Sequence, residues 1–156
     1  MIIRALSESD FIPIISVVDG WWGGRQMSDK LPALFFRHFK DTSFIAEVDG
    51  EIVAFLIGFV SQSYSNESYI HFVGVHPDFR NKGLGRKLYF AFFDKVAAKG
   101  CSIVRSITSP INNGSIGFHT KMGFKIDEGD SQVNGISINK DYDGPGKDRV
   151  RFSRYL

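Results

Sequence analysis

At 156 residues and 43% hydrophobic content, the chain is long enough for one domain with a substantial core. The net charge of +2 comes without a dense Lys/Arg run, so no nucleic-acid partner is expected. A single cysteine, Cys101, excludes an intramolecular disulfide and a multi-cysteine metal site, and no metal is expected. No apolar run approaches the ~20 residues needed to span a bilayer. Ser7-Glu8-Ser9-Asp10 interrupts any leader-like stretch after Met1. These features predict a cytoplasmic protein with no membrane partner. The 15 Phe fit either a bulky core or the apolar walls of a ligand channel, and composition does not choose between them.

Ile2 to Leu6 reads as a first strand. Ser7 then suits a helix N-cap, with Asp10 three residues on and Phe11, Ile14, Ile15 and Val18 at helical spacing. The run Gly20-Trp21-Trp22-Gly23-Gly24-Arg25 reads as the loop that ends this helix. A second helix is predicted from Pro32 through Phe39. Asp49-Gly50 between Ser43–Val48 and Glu51–Phe59 is a hairpin signal. Tyr69 to Val75 follows as a strand. Leu84 to Lys99 is the strongest helix, with Leu88, Phe92 and Val96 on the face of Leu84 and Gly100 as its stop. Ser102–Ile107 reads as a strand, Gly114–Met122 as a short helix, and Phe124 as the opening of a further strand. Ile136–Lys140 and Arg149–Leu156 read as a last pair of strands. The order β-α-α-β-β-β-α-β-α-β-β predicts a single α/β (α+β) domain over residues 1–156. Its sheet is expected to be mixed, mostly antiparallel and twisted, with flanking helices. An exposed sheet edge would suit a homodimer.

The informative stretch runs from Phe72-Val73-Gly74-Val75-His76-Pro77 into Arg80-Asn81-Lys82-Gly83-Leu84-Gly85-Arg86. Here a strand passes through a glycine loop into the start of an amphipathic helix. A helix N-terminus exposes unpaired N–H groups and partial positive charge. Glycines ahead of it let an anion approach the backbone, and Arg80, Lys82 and Arg86 add positive side chains. The pattern points to a phosphate or pyrophosphate. A plain strand-to-helix turn is the alternative. A Walker loop is absent, and the dinucleotide fingerprint fails because Leu88 stands where its third glycine belongs.

Arg80-x-x-Gly83-x-Gly85 after Val75-His76-Pro77 resembles the R/Q-x-x-G-x-G/A motif of the GNAT acetyltransferase superfamily. Asn112-x-x-Ser115-x-x-Phe118-His119, followed by Met122-Gly123-Phe124, is similar to that family's N-x-x-A-x-x-L-Y-x-x-x-G-F stretch. The resemblance implies a GNAT-like domain that transfers an acetyl group from acetyl-CoA to a small-molecule or peptide amine. It also implies that the strand Val73, Gly74, Val75 splays from its neighbour and pairs with the pantetheine arm, and Gly74 would permit a bulge there. The Val75 N–H would polarise the thioester carbonyl. The amides of Lys82, Gly83, Leu84, Gly85 and Arg86 would hold the pyrophosphate, with Arg80 and Asn81 in the same loop. Asn112 would touch the cofactor arm, with Ser115 at the small-residue position.

The family's usual acid is a tyrosine, and the matching position here is His119. His119 is therefore either the proton donor or a residue packed along the cofactor arm. Tyr69 occupies a position that is glutamate in some relatives. His71, two residues on, is the leading base candidate, with Glu67 weaker. Direct attack needs no covalent intermediate, which leaves Cys101 to the core. By analogy Trp21, Trp22 and Arg25 lie near the acceptor, either lining its pocket or, for the tryptophans, plugging the core. A module that binds acetyl-CoA without turnover is the competing reading. An unrelated phosphate- or nucleotide-binding protein is a third.

Overall fold

The computed structural model describes residues 1–156. Its main sheet is built from β1 (Ile2–Ala5), β2 (Phe44–Val48), β3 (Glu51–Val60), β4 (Glu67–Val75), β5 (Ile103–Thr108), β6 (Lys125–Ile126) and β9 (Val150–Tyr155). β7 (Ser131–Val133) and β8 (Ile136–Ile138) form a separate two-stranded hairpin; the sequence predicted the second of these strands but paired it with the last strand, to which only the Asn139–Arg149 bridge connects it. The seven-stranded order is β1-β2-β3-β4-β5-β9-β6. Every pairing is antiparallel except β4 with β5, which are joined by the crossover helix α4 (Leu84–Ala98). The remaining α-helices are α1 (Phe11–Ile15), α2 (Val18–Trp21), α3 (Ala33–His38) and α5 (Asn113–Lys121). No helix is long and apolar enough to cross a membrane.

Strand alternation divides the core into two layers. Phe55 and Ile57 of β3 pack with Ile14, Val18 and Phe36 of α1–α3 on one face. Ala54 and Leu56 pack with Leu88, Phe92 and Val96 of α4 on the other. The sheet is thus a mixed layer between helices, as the sequence order predicted.

Local signals account for several joints. Ser7 and Asp10 form a reciprocal capping box. Asp49 and Gly50 adopt positive φ of 50° and 79°, which matches the twist of the β2–β3 hairpin. The first predicted helix is divided instead. Its turn breaks between α1 and α2 at Ser16, whose hydroxyl donates to the Ile12 carbonyl, and at β-branched Val17. Helix α2 then continues through Gly20 to Trp21, inside what the sequence suggested was loop.

The bulge that Gly74 would permit falls instead at His71. Gly74 pairs in register with Phe55, whereas Ile57 faces Phe72 and Gly58 faces Ile70, leaving His71 as the extra residue. The extra residue reverses the faces. Ile70 joins the α4 layer while Phe72, two residues on, joins the opposite layer. Gly74 has a different role, since a Cβ there would stand 2.5 Å from the Phe55 ring and 3.2 Å from Trp22.

Candidate functional site

Strands β4 and β5 form a fork. They pair only at Glu67–Ile103, Ser68–Val104 and Tyr69–Arg105, and then separate. The Ser106 hydroxyl, 3.4 Å from the Ile70 carbonyl, marks where the pairing gives out. The His76 N–H binds Val53 on β3, so alternation turns the Val75 and Val73 N–H groups toward the open side. The Val75 carbonyl points the same way and accepts from Arg80 Nε at 3.2 Å.

Beyond β4 the chain turns through Pro77–Phe79, and Asn81 and Gly83 take left-handed φ of 62° and 79°. Asparagine and glycine are the residues that adopt this conformation most readily. No backbone N–H from Asn81 to Arg86 donates within the chain, and the first α4 bond runs from Lys87 N–H to Gly83 O. The result is a concave row of free donors at the positive end of a 15-residue helix. Nothing lies within 4 Å of a Cβ placed on Gly83, so this glycine keeps the row open.

The fork opens into a cavity of about 930 Å³ between β4 and the β5–α5 segment. Val73 and His71 line one side, and Ser106, Asn112, Ser115 and His119 the other. Tyr89 faces it from α4, one turn beyond Gly85. The outer end is bounded by Trp22, Arg25, Lys30, Phe35, Tyr69 and the Asp143–Arg149 ion pair. A second depression of about 540 Å³ beside Asp41 has its carboxylate already paired with Lys95 and Lys99.

A family model described as the acetyltransferase (GNAT) family matches residues 12–124. The chain belongs to the GNAT acetyltransferase family. An acetyltransferase of Pectobacterium atrosepticum is 27% identical over 130 residues, covering 80% of this chain and 88% of that protein. Ard1 from Thermoplasma volcanium superposes with a TM-score of 0.80 at 21% identity, covering 99% of this chain and 97% of that one. An aminoglycoside 6'-N-acetyltransferase complexed with coenzyme A gives a TM-score of 0.75 at 15% identity, covering 99% and 97%.

Within this GNAT acetyltransferase, the basic side chains of the loop are engaged elsewhere. Arg80 ties the loop to the carbonyls of Val75 and Trp21. Lys82 lies over the Phe79 ring and Arg86 over Phe90. Asn112 caps α5, its Oδ1 accepting from the Ser115 N–H at 3.0 Å.

The two tryptophans separate. Trp21 is a correction to the expected pocket, because it is helical, buried and stacked on Phe55 in the core. Trp22 and Arg25 do line the cavity. Their segment is pinned by Asp19, whose carboxylate accepts from the Met27 and Ser28 N–H groups at 2.8 Å each. Those bonds hold the Asp19 carboxyl below the usual range. Cys101 is buried in the core, and burial pushes its thiol up.

Tyr69 and His71 both face the cavity, Tyr69 stacked on Phe59 and His71 on Phe35 at 4.3 Å. His71 Nε2 lies 2.6 Å from the Lys30 carbonyl, which can only accept, so Nε2 carries the proton. Nδ1 then presents a lone pair with no protein partner. Burial lowers the His71 pKa and raises that of Tyr69.

His119 is buried deep in the fork, its ring stacked on Phe152 at 4.5 Å. Nδ1 lies 2.8 Å from the Ser115 carbonyl and Nε2 lies 3.0 Å from the Tyr89 hydroxyl. Burial lowers the His119 pKa. The sequence did not single out Tyr89. Its only signal was a hydroxyl on an otherwise apolar helix face.

Proposed function

We propose that the protein transfers an acetyl group from acetyl-CoA to the primary amine of a small molecule or peptide by direct attack. The cofactor supplies the acetyl group as a thioester, already activated toward amines. The observation that carries this reading is the row of free N–H groups from Asn81 to Arg86 beside an open fork. Those residues suit a pyrophosphate because they offer unpaired donors at a helix N-terminus. The outward N–H groups of Val73 and Val75 suit an extended amide arm, and Val75 is placed to donate to a developing oxyanion.

His71 serves as the base in this reading. Its bond to the Lys30 carbonyl leaves Nδ1 as the acceptor, and its lowered pKa keeps the ring neutral at physiological pH. It can therefore take a proton from the acceptor amine, directly or through water. Trp22 and Phe35 supply aromatic walls for the acceptor. Arg25, which has no side-chain partner, supplies a positive charge for an acceptor carboxylate.

Thiol release from acetyl-CoA, followed across a panel of amino acids, polyamines and peptide N-termini, tests the proposal. Release that depends on the added amine is expected. Tight CoA binding with no release for any amine would sink acetyl transfer in favour of a binding module.

A further inference from the structure

The deep end of the fork holds one titratable pair, Tyr89 on α4 and His119 on α5. Both side chains line the cavity although each residue is about 95% or more buried. Their Oη and Nε2 atoms are 3.0 Å apart. The rest of the His119 surroundings is aromatic, with Phe152 stacked on the ring and Phe118 and Phe124 at its edges. Apart from Tyr89, its polar contacts are the carbonyl and hydroxyl of Ser115. No charged side chain faces it.

We propose that Tyr89 is the proton donor to the departing thiol of CoA, and that His119 is the positioning residue that recharges its hydroxyl. This inference rests on the acetyl-transfer reading above. Tyr89 stands one turn along α4 from the anion cradle, on the side that faces the fork. Val73, one of the β4 residues whose N–H is free, lines the same cavity.

The step balances as follows. The amine nitrogen bonds the acetyl carbon, and the C–S bond breaks with both electrons on sulfur. The Tyr89 hydroxyl proton moves to that sulfur while a proton crosses from His119 Nε2 to the Tyr89 oxygen. His119 rests as the neutral ring with Nδ1–H on the Ser115 carbonyl, takes a proton at Nε2 from solvent before the step, and returns to the neutral ring after it. The proton lost by the amine goes to the base. The base then releases it to solvent, and His119 regains one from solvent.

Two opposed effects of burial favour a relay over tyrosine alone. Burial raises the Tyr89 pKa, so a free tyrosinate is disfavoured. Burial lowers the His119 pKa, which makes its imidazolium a stronger acid than an exposed one.

The test begins with wild-type protein and no cofactor. Nitrogen NMR of the imidazoles is expected to show neutral His119 protonated at Nδ1, with Nε2 accepting a hydrogen bond that Tyr89→Phe abolishes. Protonation at Nε2 in the neutral ring would overturn the relay. In turnover, Tyr89→Phe and His119→Gln should each lose about 100-fold in kcat. CoA affinity, which also reports folding, should stay near wild type. An acetyl thioester of an aromatic thiol, whose thiolate leaves without a proton, should remove most of the Tyr89→Phe deficit. Wild-type kcat in Tyr89→Phe, or an equal deficit with both donors, overturns the proposal while leaving acetyl transfer intact. No turnover by wild type with any amine overturns the transfer reading itself, and this inference with it.

Discussion

Replacing Gly83 by valine separates what the loop does for folding from what it does for binding. Gly83 sits at φ 79° and ψ 10°, a left-handed conformation, as N-cap of α4. An L-residue pays about 1–2 kcal/mol there. Nothing lies within 4 Å of the added Cβ, so no clash is added to that cost. For a domain of this size each kcal/mol is about 2–4 °C in Tm, so the variant should melt roughly 2–8 °C lower and remain folded. Binding should suffer more. The valine would stand in the mouth of the free N–H row and keep a pyrophosphate from the backbone. Hydrogen bonds to a charged group contribute about 1.5–3 kcal/mol each, so losing two costs about 3–6 kcal/mol. That corresponds to a CoA Kd raised about 100-fold or more. Calorimetric titration with CoA and a thermal melt on the same sample measure both effects. A lowered Tm with an unchanged Kd would refute the assignment of this loop to the pyrophosphate.

Three further outcomes test other parts of the site. His71→Phe keeps the stack on Phe35 but removes the proposed base, so kcat should fall about 100-fold with CoA affinity unchanged, and an unaltered kcat would return His71 to a packing role. Gly74→Ala pushes a Cβ to 2.5 Å from the Phe55 ring and should cost about 1–3 kcal/mol, read as a lower Tm; a Tm equal to wild type would mean that the ring moves aside freely. Burial holds His71 and His119 below the ordinary value of 6.5, so the unfolded chain binds more protons as pH falls through that value. Their contribution to stability is full above pH 6.5 and is lost below it, on the way down to the folded values. His119→Gln should therefore flatten the fall of Tm between pH 7 and pH 5, and parallel curves for the two proteins would contradict this.

The features legible in the sequence are those fixed by a few adjacent residues. The Ser7–Asp10 box, the Asp49-Gly50 turn and the Gly83–Gly85 loop each depend on local dihedrals and short-range bonds. The features that were missed depend on a partner far along the chain. The bulge lies at His71 because β3 shifts register between Ile57 and Gly58, and only the pairing reveals that. Gly74 looked like a bulge residue, but what it meets is Phe55 and Trp22 from other elements. Trp21 and Trp22 are adjacent in sequence, yet one turns into the core and the other toward the cavity because α2 extends through Trp21. Tyr89 was hidden for the same reason. On its own helix it reads as an apolar-face residue, and it acquires chemical meaning only when α5 brings His119 to 3.0 Å.

The basic residues of the loop support a related argument. In the sequence, Arg80, Lys82 and Arg86 strengthened the case for an anion because they cluster around the glycines. In the fold, Arg80 binds two backbone carbonyls, while Lys82 and Arg86 lie against phenylalanine rings. Their positive charge still raises the local potential, but the directed donors are backbone N–H groups. Arg80 secures the geometry by fastening the end of β4 to the end of α2. The conformation at Asn81 and Gly83 then turns the N–H groups outward. A binding surface made of backbone depends on dihedral angles more than on side-chain identity. On that basis the glycines and Arg80 should tolerate substitution less well than Lys82 or Arg86.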